Sequence, residues 1–428
     1  MREGGILWFR NDLRLTDNEA LCESVWQSNR IYPVYVFDER IFSGKSAFGL
    51  RKIDTPRAKF ILDAVTDLRN RLRDRGSDLI IRIGKSEEEV YNIAKRLKTR
   101  NVFCNRERTY EEVLIQDALE EKLWSIGQEL RYTRGKMLYY TADLPFPVTH
   151  SPDSFNAFRR EVEKFTSLRP PLTIPDLPPF DNANIDKGEL PALSRFEMSE
   201  VNLNADCFNG GESRGLEIVE NLKNDASSVN VGQDSLYSGT QLSPWLSHGC
   251  LSPKTIYFEL SGNKNFNNSS KEKHPLYYQL LWRDYHRLIC KKYGNAIFCA
   301  EGIKPKDVSQ SQYQADVCKS WVQGETDSSL VNAIMSELKN TGFINDLARR
   351  ISASYLVHVL KQPWLYGASY YEQMLIDYDP CSNYGNWMEI AGVGAENKES
   401  KFILSSDFDS KYDRDESYRS RWLKNVRV

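Results

Sequence analysis

Four polar stretches of the sequence combine residue types that could hold a ligand or carry out chemistry. They are Tyr237–Ser243, Gln279–His286, Asp346–Arg350 and Asp377–Trp387. The first places small hydroxyl residues around a glycine just before a helix, where hydroxyls and backbone N–H groups suit a diphosphate. A helix cap with a turn explains the same residues. Composition therefore leaves a ligand site and a plain cap both open.

The second stretch has a mixed helical face. Gln279, Trp282, Arg283 and His286 follow the spacing i, i+3, i+4 and i+7, so they share one side of a helix. An amide, an indole and a guanidinium together are unusual in an apolar core. Alternatively, these residues form a solvent-exposed helix face on which neighbouring side chains cover Trp282.

The other two stretches contain acids that need partners. Asp346 lies one turn from Arg349 and Arg350, which an exposed salt bridge of ~0.3–0.5 kcal/mol would explain. Asp377–Trp387 is polar and turn-rich, yet apolar residues flank it on both sides. Acids and amides beside buried elements require partners, so we expect a buried arginine or a ligand there.

The chain as a whole limits what these stretches can do. Its 428 residues suit two domains, and 57 basic against 59 acidic side chains exclude a non-specific DNA coat protein. Any nucleic-acid contact must then be a local patch. The eight cysteines show no CxxC pair, which predicts reduced thiols and no metal site. No segment near the N-terminus is long and apolar enough for a signal peptide or a membrane span. We expect a cytoplasmic monomer.

Two periodicities divide the chain. Residues 1–133 alternate short apolar runs with amphipathic stretches, which predicts an α/β domain with a doubly wound, parallel, five-stranded sheet. The predicted strands are Ile6–Phe9, Tyr32–Phe37, Leu79–Ile83, Asn101–Cys104 and Leu130–Thr133. The predicted helices between them are Pro56–Arg75 and Ser86–Lys98, the second with a Ser86…Glu89 capping box. No Walker A or GxGxxG motif follows the first strand.

Proline marks the boundary between the halves. Residues 134–204 are proline-rich and predict an extended linker. Residues 205–428 carry helix signals, so we expect an all-α domain whose many aromatic residues surround something flat. Its clearest helices are His274–Tyr293 and Ile344–Leu360, and Ser261–Ser270 is expected to be a loop.

An ordered set of motifs resembles those of the photolyase/cryptochrome family. The motifs are Trp8–Arg14, Leu242–Pro253, Trp282–Asp284, Thr341–Phe343 and Asp377–Trp387. They span nearly the whole chain in the order of the family. Three further features resemble DASH-type cryptochromes: Leu144–Pro147 before a helix with Phe155 and Phe158, Gly210–Glu212, and Asn383–Trp387 followed by Ala391–Gly394. The resemblance implies an antenna domain at residues 1–133 and an FAD-binding domain at residues 205–428.

The resemblance also assigns roles to single residues. Thr240, Gln241, Leu242 and Ser243 would hold the FAD diphosphate, with Tyr237 near it and Arg283 reaching the cofactor from the next helix. Arg349 and Asp377 match an ion pair beside the isoalloxazine, Asp379 matches a residue on the ribityl and adenine side, and Asn383 matches the position opposite flavin N5. Trp387, Trp364 and Trp321 match an electron-transfer triad running from flavin to surface. Glu107 and Glu111 fall in a segment that contacts a 5,10-methenyltetrahydrofolate antenna in DASH proteins, although surface carboxylates explain them nearly as well.

Departures from the family pattern bear on the reaction. Gln279 stands where photolyases that repair cyclobutane dimers have Glu, and Asp346 stands where they have Asn, both at the lesion and flavin pocket. We therefore expect an FAD-containing, blue-light-absorbing protein that repairs cyclobutane pyrimidine dimers weakly or in single-stranded DNA, as a deoxyribodipyrimidine photo-lyase. A blue-light receptor that signals through a partner, without repair, is the alternative, and the chain end soon after Trp422 counts against it.

Overall fold

The N-terminal half is built on a sheet of five parallel strands. The computed structural model describes residues 4–181, 185–199, 208–224, 236, 239–261, 275–304, 312–396 and 408–423. The strands are β1 (Gly5–Phe9), β2 (Ile31–Asp38), β3 (Ile80–Gly84), β4 (Asn101–Asn105) and β5 (Glu129–Thr133). Their order is β3-β2-β1-β4-β5, and every pairing is parallel. The predicted doubly wound α/β sheet is confirmed.

Successive side chains of each strand point to opposite faces of the sheet, and both faces are covered by helices. The helices of this half are α1 (Glu19–Gln27), α2 (Glu39–Phe42), α3 (Thr55–Arg73), α4 (Ser86–Leu97) and α5 (Tyr110–Trp124). Ile6 and Trp8 of β1 pack with residues of α4 and α5, whereas Leu7 and Phe9 pack with α1 and α3. The buried cluster that contains Leu7 and Phe9 also includes residues of the C-terminal half. The C-terminal half therefore covers this face of the sheet.

The predicted Ser86…Glu89 capping box is wrong. The N-cap of α4 is Lys85, whose side chain makes no capping bond. Ser86 Oγ instead donates to Asp38 Oδ2 at 2.7 Å, at the end of β2. A tertiary contact thus takes the hydroxyl that a local cap would have used.

The proline-rich segment is not wholly extended. It contains α6 (Phe155–Phe165), whose Phe158 and Val162 are fully buried. Phe158 packs against Tyr285 of the helical half, with ring centroids 5.8 Å apart. The helix that the family resemblance implied at Phe155 and Phe158 is confirmed, whereas the prediction of an extended linker is only partly correct.

The C-terminal half is helical, as predicted. Its described helices are α7 (Glu212–Asn224), α8 (Ser243–Ser247), α9 (Pro253–Ser261), α10 (Pro275–Tyr293), α11 (Ala315–Gln323), α12 (Ser329–Thr341), α13 (Asp346–Ser354), α14 (Trp364–Met374), α15 (Pro380–Ala391), α16 (Phe408–Tyr412) and α17 (Ser417–Leu423). The single helix expected over residues 344–360 is instead α13 followed by a turn of π-helix, Tyr355–Val359. Most of the predicted loop 261–270 lies outside the described residues. None of the described helices is long and apolar enough to cross a membrane.

Buried polar bonds join the two halves. Glu212, at the start of α7, accepts hydrogen bonds from the backbone N–H groups of Leu15 and Thr16 at 2.7 and 2.9 Å. Asp284 of α10 accepts from the backbone N–H groups of Leu138 and Tyr139 at 2.8 and 3.1 Å. Both side chains are inaccessible to solvent, so Glu212 fixes the loop after β1 on α7, and Asp284 fixes the segment after β5 on α10.

Candidate functional site

A cavity opens between α13, α14 and α15. Its lining includes six of the residues that the sequence predicted as site residues: Asp346, Arg349, Asp377, Asp379, Asn383 and Trp387. Other lining residues, such as Tyr371 and Asn386, were not predicted. The lining combines charged and amide side chains with aromatic and aliphatic ones, which is the usual composition of a cofactor pocket.

An ion pair forms one edge of the cavity. Arg349 Nη2 donates to both carboxylate oxygens of Asp377, at 2.9 and 2.7 Å. Arg349 Nε donates to the carbonyl of Ile344 at 2.8 Å, which fixes the direction of the guanidinium. The side chain of Asp377 is 2% exposed and that of Arg349 is 26% exposed. The buried acid thus has the arginine partner that its apolar flanks required, and the guanidinium can still face a ligand.

A second acid, Asp379, joins the cavity to the N-terminal half. It caps α15 by accepting from Ser382 N and Ser382 Oγ, both at 2.9 Å. Its other oxygen accepts from Arg287 Nη1 at 3.1 Å. Burial alone would raise the pKa of Asp379, but Arg287, Arg283 and the Ser382 N–H outweigh burial and lower it. Asp379 therefore stays ionised inside the protein.

Arg287 extends this contact into a buried chain of alternating charges. Its Nη2 donates to Glu107 Oε2 at 3.2 Å, and Lys136 Nζ binds the other oxygen of Glu107. The side chains of Arg287 and Glu107 are 3% and 1% exposed. Sequence reasoning missed Arg287, although it stands one turn after Arg283 on the same helix, and that spacing could have indicated it.

Two asparagines of α15 lie one turn apart and are held differently. Asn383 Nδ2 donates to the carbonyl of Ala368 in α14 at 3.0 Å. Asn386 Oδ1 accepts from Trp282 Nε1 at 3.1 Å and contacts His286 Nε2 at 3.3 Å. Burial lowers the pKa of His286 to about 4, so the ring is neutral and Nε2–H donates. Helix α10 thereby positions the face of α15 that borders the cavity.

The three predicted tryptophans do not form a series in the predicted order. Trp387 lines the cavity, and its ring centroid lies 6.4 Å from that of Trp321. Trp321 is 0% exposed, so it cannot be the surface end of a triad. Trp364 is 7% exposed and contacts Tyr384, with centroids 6.2 Å apart. The predicted order from flavin to surface is therefore corrected: Trp321 is an internal neighbour of Trp387.

The predicted diphosphate segment lies before α8, apart from the cavity lining. Leu242 is buried, Thr240 and Ser243 are half-buried, and Gln241 is exposed with a φ of 53°, in the left-handed region. Tyr237 lies outside the described residues. Arg283 approaches this segment, because Nη2 donates to the carbonyl of Leu246 in α8 at 3.3 Å. Whether these residues hold a diphosphate stays a prediction.

The two positions that depart from the family pattern are both accessible to solvent. Gln279 is exposed on α10 and does not line the cavity. Asp346 lines the cavity rim, its side chain is 72% exposed, and it pairs with Arg350 Nε at 3.1 Å. Water and Arg350 therefore screen the negative charge of Asp346, which weakens the electrostatic effect expected from an acid in a dry pocket.

The two predicted antenna residues have different surroundings. Glu107 is buried, and both of its oxygens are engaged by Lys136 and Arg287. Glu111 has a side chain that is 66% exposed, and it pairs with Lys52. Neither contact identifies an antenna chromophore, so that assignment stays a prediction. No group of histidine, cysteine and acidic side chains in the described part of the chain could hold a metal ion.

The polar atoms around the cavity fit FAD. Within the described residues, Trp387 Nε1, which belongs to the cavity lining, and Arg283 Nε, which lies outside that lining near α8, are buried and have no hydrogen-bond partner. A buried donor without a partner costs ~1–3 kcal/mol, and a ligand acceptor would remove that cost. The Arg349 guanidinium, the Asp379 carboxylate and the Asn383 amide offer both donors and acceptors to a flavin and its ribityl chain.

Comparisons with known proteins cover both halves of the chain. Residues 5–178 match the family described as DNA photolyase, and residues 276–428 match the FAD binding domain of DNA photolyase. The chain is 36% identical to the chloroplastic/mitochondrial cryptochrome DASH of Arabidopsis thaliana, over 99% of this chain and 76% of that protein. It is 33% identical to the cryptochrome DASH of Xenopus laevis, over 98% of this chain and 82% of that one.

A solved structure extends the comparison to three dimensions. The cryptochrome of Synechocystis sp. PCC6803 superposes with a TM-score of 0.91 at 33% identity, over 99% of this chain and 89% of that chain. Sequence, domain content and fold therefore agree over nearly the full length. The chain belongs to the photolyase/cryptochrome family, and it is similar to cryptochromes DASH.

Proposed function

We propose that this chain binds FAD in the cavity between α13, α14 and α15 and acts as a light-driven flavoprotein. The observation that carries the proposal is the Arg349–Asp377 pair, which lines the cavity together with Asn383 and Trp387 in a chain whose C-terminal half matches an FAD binding domain. FAD, when bound, absorbs blue light and exchanges single electrons. The chain's own residues supply the binding site, the charge balance and the electron path.

Each residue has a chemical task in this proposal. Arg349 offers positive charge and N–H donors toward the flavin, and Asp377 holds that guanidinium in place. Asn383 presents a neutral amide that Ala368 fixes, and an amide does not titrate. Asp379 adds a negative charge to the same lining, held by Arg287. Thr240 and Ser243 would bind the diphosphate through hydroxyls and backbone N–H groups at the start of α8.

The proposed reaction is light-driven repair of cyclobutane pyrimidine dimers, weak or restricted to single-stranded DNA. Repair requires an electron to enter the dimer, two carbon–carbon bonds to break, and the electron to return. Gln279 can donate an N–H bond to a thymine carbonyl, but it cannot transfer a proton as Glu can. Asp346 places a carboxylate at the cavity rim, where negative charge would develop on the dimer, and Arg350 offsets part of it.

An absorption spectrum of the purified protein tests the cofactor. We expect flavin bands in the blue, and an additional near-ultraviolet band if a folate antenna is bound. Asp377→Ala should lose the flavin bands, because Arg349 then has no carboxylate to position it. A protein that carries no flavin after expression and after incubation with FAD would contradict the proposal.

Repair assays with single-stranded and duplex DNA test the reaction. We expect feeble light-dependent repair of duplex dimers by the natural protein and a gain for the double variant Gln279→Glu with Asp346→Asn. Because water screens Asp346, most of that gain should come from Gln279→Glu alone. Efficient duplex repair by the natural protein would show that neither position limits the reaction. Bound flavin with no repair of either substrate would favour a photoreceptor.

The cellular compartment remains a proposal as well. The sequence predicted a cytoplasmic protein, and none of the described helices could span a membrane. The plant relatives are named for chloroplasts and mitochondria, so the family occurs in more than one compartment. Fluorescent tagging of the full chain in its own cell would locate it.

A further inference from the structure

The backbone just before Asp377 is held from two sides. Asp377 lies in the short segment between α14 and α15, and Ile376 precedes it. The N–H of Ile376 donates to the carbonyl of Gly342 at 2.8 Å, and the carbonyl of Ile376 lies 2.8 Å from His248 Nε2. Both backbone polar groups of Ile376 are therefore bonded to distant parts of the chain. The direction of a side chain depends on its backbone, so these two bonds help to set where the Asp377 carboxylate points.

The first bond comes from the turn that also orients Arg349. Gly342 follows α12 with a φ of 69°, and a Cβ there would lie only 2.8 Å from side-chain atoms of Ile376 and Pro56. Two residues later, the carbonyl of Ile344 accepts from Arg349 Nε at 2.8 Å. One tight turn thus bonds to both members of the ion pair or to their immediate neighbours.

His248 supplies the second bond, and its surroundings keep the imidazole neutral. The residue is 5% exposed, and its ring centroid lies 5.3 Å from that of Phe60 in α3. Burial lowers the pKa of His248 to about 4, so the ring carries no charge near pH 7. Because a carbonyl can only accept, Nε2 carries the proton and donates it to Ile376.

The backbone around His248 is itself fixed on the N-terminal half. His248 directly follows α8, and its carbonyl accepts from the N–H of Leu13 at 3.2 Å. The carbonyl of Gly249 accepts from Arg14 Nη1 at 3.0 Å. The predicted diphosphate segment ends at Ser243, where α8 begins. The imidazole therefore connects the turn after α8 with the acid that holds Arg349.

We propose that His248 is a positioning residue for the flavin site: its bond to Ile376 fixes the direction of Asp377 and, through Asp377, that of Arg349. The inference rests on the proposed function. His248 does not line the cavity, so it acts only through these neighbours. Without the Nε2–H donor, the buried carbonyl of Ile376 would have to move to find another partner, and Asp377 would turn with it.

The dissociation constant of FAD, measured by fluorescence titration of the flavin-free full chain, tests the role of this bond. His248→Phe keeps a ring against Phe60 but removes the donor, so we expect FAD to bind about tenfold more weakly or worse. The amide nitrogen of glutamine can take the place of Nε2 and donate. His248→Gln should therefore stay within about threefold of the natural protein.

A double variant shows whether His248 acts through Asp377. In Asp377→Asn the charge that holds Arg349 is already lost. Adding His248→Phe should then weaken FAD binding by less than about threefold more, because residues that act as one unit do not give additive losses. Losses that multiply in full in the double variant would mean that His248 supports the fold independently of Asp377, and would overturn the proposal.

His358 offers a matched control. Its Nε2 makes the same kind of contact, 2.9 Å from the carbonyl of Ile390, but this histidine is exposed and far in sequence from the ion pair. His358→Phe should leave FAD affinity unchanged. If His248→Phe does not fold, His248→Asn replaces it, because the shorter amide reaches only the position of Nδ1.

The outcomes separate the two proposals. Weak FAD binding in His248→Phe or His248→Asn, restored in His248→Gln, supports the positioning role. Natural affinity in His248→Phe, or no restoration in His248→Gln, would overturn it while the flavin site stands. A natural chain that binds no FAD would instead refute the proposed function.

Discussion

Two arginine–aspartate pairs border the same cavity, and their surroundings differ. Arg349–Asp377 has a guanidinium that is 26% exposed and lines the cavity. Arg287–Asp379 is buried and continues to Glu107 in the N-terminal half and from there to Lys136. The acids are only two residues apart in sequence. The difference indicates that the first pair can meet a ligand, while the second holds the two halves in one arrangement.

Removal of Arg287 should have the largest effect on folding. Arg287→Ala leaves Asp379 and Glu107 buried without their shared cation, which costs ~3–5 kcal/mol in the free energy of unfolding. Urea unfolding followed by circular dichroism measures it. Arg169→Ala is the matched control, because Arg169 makes an exposed pair with Asp143. A similar small loss in both variants would contradict the distinction drawn between buried and open pairs.

Glu107→Gln should have a smaller effect that depends on pH. The variant keeps the shape but loses the charge that Lys136 and Arg287 share, at a cost of ~1.5–3 kcal/mol. Burial alone would raise the pKa of Glu107, but Lys136, Arg287 and Arg10 lower it below the ordinary 4.5. A lowered carboxyl pKa stabilises the fold above pH 4.5, and that stability is lost as pH falls below it.

In Glu107→Gln, the free energy of unfolding should therefore depend less on pH in the acid range. Unfolding free energies measured in steps below pH 4.5 should fall less steeply in the variant than in the natural protein. Glu111→Gln is the control, since this predicted antenna residue is exposed and paired only with Lys52 among the described contacts. If Glu107→Gln changes only a folate band and leaves stability intact, Glu107 acts on an antenna ligand and the charge chain is dispensable.

Arg349→Ala should have the smallest effect on folding and a clear effect on flavin content. Only Asp377 loses its partner, and removal of the half-exposed guanidinium leaves room for water to reach this carboxylate, so we expect a stability loss of ~1 kcal/mol, at the low end of the cost of an unpaired buried group. Flavin affinity should fall by about tenfold or more, because a charge-assisted contact of roughly 1.4 kcal/mol or greater is lost. Arg349→Lys keeps the positive charge but loses the planar set of guanidinium N–H donors, so its flavin affinity should be intermediate. Full flavin occupancy in Arg349→Ala would remove this pair from the proposed site.

The sheet could be predicted from the sequence because each strand is marked by its own residues and by the turns that flank it. Apolar runs such as Ile6–Phe9 and Tyr32–Phe37 are bounded by turns, and each agrees with an observed strand within a residue or two. The helix pattern likewise located α3 and α10. Local rules failed where a distant residue intervened, as when Asp38 took the hydroxyl of Ser86 from the predicted capping box.

The site was only partly predictable for the same physical reason. Resemblance identified Arg349, Asp377 and Asp379, and the structure brings them to one cavity. Resemblance could not show that Arg287 joins Asp379 to Glu107. In the chain, Arg287 is 92 positions from Asp379 and 180 positions from Glu107. The predicted order of the three tryptophans from flavin to surface was wrong. Burial and ring distances depend on how the helices pack, and the positions of the tryptophans in the sequence do not determine that packing.

The bonds that Glu212 makes to Leu15 and Thr16 have a consequence for synthesis on the ribosome. The loop after β1 is made first, but the carboxylate that satisfies its two N–H groups follows about 200 residues later. At roughly 5–20 residues per second this leaves the loop incomplete for on the order of 10 to 40 s. Until helix α7 has been synthesised, the two N–H groups of this loop can bond only to water or to other parts of the nascent chain.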